Sequence, residues 1–241
     1  NSGGGSLNAF YQSQARLAPG LRLKKTPAGA PTRLESYTLS PADGLVYVSA
    51  HKGEGRVINQ CIDPAVLDEH DAFASDPTLD MYSPSNGFRP PPEWSEYAPD
   101  FVQRYRDAQI QRVKRIDDHA RGVAREAAEA EKLHGDEGFT RLPAHEQRQI
   151  LLREAFEPVL VIYRTMANLH YADHHLDPSD REYGSLLSDR PDLMNMALTG
   201  FARICTPRAW LSTWSGLSSQ ADLMLTLPQI EEPTLVVNAG R

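Results

Sequence analysis

The residues best suited to chemistry stand at the start of the chain. Asn1-Ser2-Gly3-Gly4 runs straight into a segment in which Leu7, Phe10, Tyr11, Gln14 and Leu17 are spaced by three and four before Pro19-Gly20, which predicts a helix. A serine at a helix entrance with glycines after it matches the second half of a G-x-S-x-G turn, whose first glycine would fall one position before Asn1. The backbone of such a turn passes close to its neighbours, so small flanking residues are needed. The turn projects the serine hydroxyl outward and aims the next amide, at the helix N-terminus, at the oxyanion formed on attack. Ser2 is thus the expected nucleophile and the Gly3 amide the expected oxyanion donor. The plainer reading is a flexible tail, because Gly3-Gly4-Gly5-Ser6 has linker composition.

Other polar groups carry weaker signals. Glu54 and Asp63 follow an apolar run and read as solvated loop carboxylates rather than acids of a catalytic site. Trp214-Ser215-Gly216 has no leading strand and has Leu217 where a second glycine would stand, so Ser215 reads as a turn serine. His170, Asp173, His174 and His175 are clustered, but His174 and His175 are adjacent and one carboxylate is near, so a polar loop is expected and no metal. The run from Arg104 to Arg125, including Arg112, Arg115 and Arg121, is interleaved with Asp107, Asp117 and Asp118 in helical register and reads as a salt-bridged exposed face.

The elements that must position these groups follow from patterning. Arg33 to His51 reads as β-type: a polar lead-in, a turn at Pro41-Ala42-Asp43-Gly44, then a buried strand over Leu45 to His51. Residues 62–99 are rich in Pro, Asp, Ser and Gly and predict an ordered irregular loop. A long helix is expected from Asp100 to about Lys132, with Val102, Tyr105, Val113, Ile116, Ala120, Val123 and Ala127 on one stripe and Gly122 as a bend point. A helix over Pro143 to Phe156, a strand over Val159 to Tyr163, helical stretches around Pro191 to Ile204 and Pro207 to Leu225, and a second buried strand over Thr234 to Asn238, closed by Ala239-Gly240, complete the reading.

Composition bounds the rest. With 241 residues, 40% hydrophobic and 24% charged, the chain sits near the average for a folded globular protein. A net charge of −7 argues against nucleic acid and anionic membranes as partners. No run approaches ~18 apolar residues and no basic-then-apolar leader opens the chain, so no membrane span is expected. Two cysteines, Cys61 and Cys205, exclude a disulfide-dense scaffold and suggest free thiols in a cytoplasmic setting.

Together, the turn at Ser2, the strand ending at His51, the long helical segment and Leu227-Pro228-Gln229-Ile230-Glu231-Glu232-Pro233-Thr234-Leu235-Val236-Val237-Asn238-Ala239-Gly240 resemble the α/β-hydrolase superfamily. That resemblance implies an α/β fold: a partial hydrolase core with parallel strands at 1–62, a mainly helical cap at 63–226 and a core strand at 227–241. It implies a serine hydrolase acting on a carboxylic ester or related acyl bond, with Ser2 as nucleophile, Gly3 in the oxyanion hole and no cofactor. The partner implied is a small-molecule ester or acyl substrate. In the family's order the triad acid would fall just past Arg241 and the histidine later, so the chain alone is expected to be inactive, with exposed strand edges near both ends. Acyl transfer or peptide cleavage on the same serine, and a non-catalytic helical interaction module with a glycine-rich tail, are the alternatives.

Overall fold

The computed structural model describes residues 1–186 and 188–238. Helix α1 (Gly3–Arg16) begins directly at the glycine run, so these residues are helical rather than a tail. Its buried face is Gly5, Ser6, Ala9, Gln12, Ser13 and Ala15, while Leu7 and Tyr11 of the expected stripe are exposed. Small residues win because they let α1 lie close against β1 (Leu45–Val48): a Cβ on Gly5 would stand 2.5 Å from Ala50 Cβ and 3.4 Å from the Tyr47 ring. The Arg33–Ser40 lead-in forms no strand; Leu34–Ser36 is a single 3₁₀ turn. Buried Arg22 explains this, since its guanidinium donates to the carbonyls of Gln14, Leu17, Leu34 and Tyr37 and folds the segment back on α1.

After β1 comes α2 (Glu54–Cys61), which sequence patterning did not predict. It starts at Gly53, whose φ of 142° favours glycine and whose Cβ would meet the Ala221 carbonyl at 2.5 Å. The expected irregular region contains a hairpin, β2 (Val66–Asp68) and β3 (Asp71–Ser75). Helix α3 (Pro99–His134) matches the predicted long helix and runs unbroken through Gly122. Its first half packs Phe101 and Tyr105 with Met81, Tyr97 and Leu169, and its middle packs Val113, Ile116 and Ala120 with Ile58, Ile62, Trp210 and Leu211. A single helix thus supports both main apolar clusters.

Helix α4 (Ala144–Ala155) folds back along α3, and β4 (Leu160–Val161) pairs antiparallel with β5 (Ile204–Cys205). Between them lies α5 (Pro191–Met196), shorter than predicted. The expected helix from Pro207 breaks into α6 (Pro207–Ala209), a π turn at Trp210–Trp214 and α7 (Leu223–Thr226). The last described strand, β6 (Thr234–Val237), lies parallel to β1, with Leu45 opposite Thr234 and Val48 opposite Val237. The Ala239-Gly240 close of this strand lies outside the described residues.

The described fold is therefore mixed helix and strand, with one small parallel pair joining the start of the chain to its end. Both strands of that pair were expected to be buried, and here the structure differs. All four residues of β6 are exposed, as are Val46 and Val48, and of β1 Tyr47 alone is buried, beneath α1. Two strands covered chiefly on one side leave most of their apolar side chains facing solvent.

Candidate active site

Ser2 stands at the entrance of α1 with φ 45° and ψ −138°. A serine that merely caps a helix has β-region angles and accepts an amide from the first turn. Ser2 does neither: its side chain makes no capping hydrogen bond, and it is exposed with no hydrogen-bond partner among the described residues. A positive φ at a non-glycine residue costs on the order of 1–3 kcal/mol and persists only where the surroundings enforce it. They do so here. Ser2 N donates to Ser49 O at 3.2 Å, Ser49 itself has φ 45°, and Ser49 N donates to Val237 O at 2.8 Å. The turn is therefore tied through Ser49 to the end of β6.

The glycines after Ser2 differ in what they permit. A Cβ on Gly3 would collide with Glu54 Oε1 and lie 3.4 Å from His51 Cε1, and Gly5 abuts Ala50, whereas a Cβ on Gly4 would meet nothing within 4 Å. Close approach of neighbours to the turn thus holds at Gly3 and Gly5. The Gly3 amide sits at the N-terminus of a 14-residue helix, where unpaired amides and the helix dipole favour negative charge.

Glu54, read from sequence as a solvated loop carboxylate, is instead the first residue of α2, with its carboxylate against Gly3. His51 joins it. The Nε2 atom of His51 lies 3.5 Å from Glu54 Oε1, and Nδ1 accepts the Gly53 amide at 3.2 Å. With Nδ1 acting as acceptor, the neutral ring carries its proton on Nε2, facing Glu54. The Gly53 amide on Nδ1 and the Glu54 carboxylate near Nε2 place the ring as a wall of the turn. Sequence reasoning placed His51 only at a strand end; its i, i+3 spacing to Glu54 across Gly53 was the available signal.

The remaining polar groups are structural. Asp63 is fully buried, and its Oδ2 accepts Arg164 Nε at 2.9 Å and Asn195 Nδ2 at 2.7 Å. Ser215 is fully buried and donates to Asp117 Oδ2 at 2.9 Å, which removes it as a nucleophile. Asp173 accepts the amides of Tyr97 and His175, and the His174 ring packs on Trp94. No three His, Cys, Asp or Glu side chains converge as metal ligands among the described residues. Both cysteines are free thiols; burial raises Cys61 and pushes Cys205 up to about 11, far from a reactive thiolate.

No described helix is long and apolar enough to cross a membrane. No family model matches this chain, and neither a curated protein nor a solved structure matches it.

Proposed function

We propose that the chain carries the nucleophile turn, two core strands and helical cap of a serine hydrolase of the α/β-hydrolase type, cutting a carboxylic ester or related acyl bond. The observation that carries this reading is the backbone of Ser2: a positive φ at the head of a helix, with a free hydroxyl that does not cap it. The parallel pairing of β1 with β6 and the mainly helical stretch between them agree with the order the resemblance implies.

In this reading the Ser2 hydroxyl gives its proton to a base and Oγ attacks the ester carbonyl carbon. The carbonyl oxygen becomes an oxyanion that the Gly3 amide helps to hold at the α1 N-terminus. Collapse expels the alcohol, which takes up the proton, and water then attacks the acyl-Ser2 to release the acid and restore the hydroxyl. His51 and Glu54 shape the turn. The size of the helical segment favours an apolar or mid-sized organic substrate.

A fluorophosphonate probe, which modifies activated serines, should label the protein, and Ser2→Ala should abolish labelling with the circular dichroism unchanged. Labelling that survives Ser2→Ala would move the nucleophile elsewhere, and an unlabelled parent protein would refute the assignment.

One observation favours a second reading, a helical partner surface. Helix α4 buries none of its residues, Leu151, Leu152 and the following Phe156 are exposed, and exposed Leu133 of α3 lines a groove with Ile150 of α4.

A further inference from the structure

Four cationic residues line one groove in a chain whose net charge is −7. The groove, of about 580 Å³, lies between the loop at 25–31, the second half of α3 and the region where α6 begins. Arg121 and Arg125 stand one turn apart on α3, Lys25 comes from the loop and Arg208 from α6, while Glu131 is the one carboxylate among the described lining residues. Ala124, Ala128 and Leu211 supply apolar surface.

The walls are set before any ligand arrives. Lys25 and Pro31 form an antiparallel bridge, Thr26 N donates to Ala30 O at 2.8 Å, and Arg121 donates to Pro27 O at 3.2 Å, which ties the loop to α3. Neighbouring carboxylates satisfy only part of the positive charge. Arg208 pairs with Glu157 at 3.2 Å. Arg121 lies 3.8 Å from Asp117, whose oxygens already accept Trp210 Nε1 and Ser215 Oγ. The side chains of Lys25 and Arg125 have no ion-pair or hydrogen-bond partner among the described residues. Two arginines at i, i+4 on one helix face repel each other, and an anion between them would relieve that cost.

We infer that this groove binds a small organic oxyanion, a phosphate or carboxylate whose apolar body lies on the alanine surface. Guanidinium forks match the oxygens of both groups, and Lys25 adds a point charge from the opposite wall. None of Ser2, Gly3, His51 and Glu54 lines the groove, so this inference does not depend on the hydrolase reading.

Calorimetric titration with phenyl phosphate, benzoate and neutral benzyl alcohol tests it. At least one anion should bind the parent protein about tenfold more tightly than benzyl alcohol, and added salt should weaken that binding. Preference for phenyl phosphate or for benzoate tells which oxyanion the site takes. The double variants Lys25→Glu/Arg125→Glu and Lys25→Ala/Arg125→Ala alter exposed residues and should lose about tenfold or more in affinity. Arg104→Glu, which changes an arginine paired with Asp100 outside the groove, should bind as the parent does. Absence of anion binding at millimolar concentration, or equal binding by the parent and the folded double variants, would overturn the inference.

Discussion

At the scale of single residues, the strained backbone of Ser2 and the packing of the glycines behind it can be separated by substitution. Gly4 is helical with open space beyond its Cα, so Gly4→Ala should stabilise the protein by about 0.5–1 kcal/mol, the gain of alanine over glycine in a helix. Gly5→Ala should cost about 1–3 kcal/mol, because its new methyl meets the Cβ of Ala50 and not the end of a long side chain. Urea unfolding of the two variants checks both signs. The helix start behind Ser2 was legible in the sequence because a turn before a helix is written in neighbouring residues. Glu54 was not. Its place beside Gly3 depends on α2 starting at Gly53, and Gly53 is fixed by contact with Ala221, a residue far along the chain.

At the scale of elements, α3 shows where helical patterning succeeds and where it fails. Its extent and the burial of Tyr105, Val113, Ile116 and Ala120 follow from the apolar stripe. Arg112, however, read as part of an exposed charged face, is 1% exposed. Its guanidinium grips both oxygens of Glu69, at 3.0 and 2.7 Å, and donates to the carbonyls of Asp63 and Tyr163. The partner sits on the turn between β2 and β3, whose proline- and aspartate-rich surroundings concealed a hairpin. Arg112→Ala should destabilise the protein by about 3–5 kcal/mol, since it strands a partly buried carboxylate and empties a buried site. Burial alone would raise the Glu69 carboxyl, but hydrogen bonds and charge from Arg112 and Arg115 outweigh it and hold the group below its ordinary 4.5. A carboxyl depressed in the folded state takes up its proton more readily when unfolded. Its stabilising effect is therefore complete above the ordinary value and is lost as pH falls through the lower folded value. Denaturation of Glu69→Gln against the parent should show a clear deficit at neutral pH that shrinks in acid below that ordinary value. A deficit independent of pH would mean that shape rather than charge carries the contact.

At the scale of the whole molecule, the parallel pair of β1 and β6 closes the long segment between them, from Leu45 to Val237, into one loop. The helices between them make mostly nearby contacts, as α3 does with α4, whereas this pairing must wait for distant ends to meet. The amides of Leu45 and Ser49, which donate to Pro233 and Val237, should therefore gain hydrogen-exchange protection late in refolding, after those of α3. Early protection of Leu45 and Ser49 would contradict that order. Because the Ser2 amide hangs on Ser49, the strained turn cannot take shape until the ends have met. During refolding the chain would thus pass through a time window in which it is already helical while the Ser2 backbone is still relaxed, its positive φ imposed only once Ser49 has docked on β6.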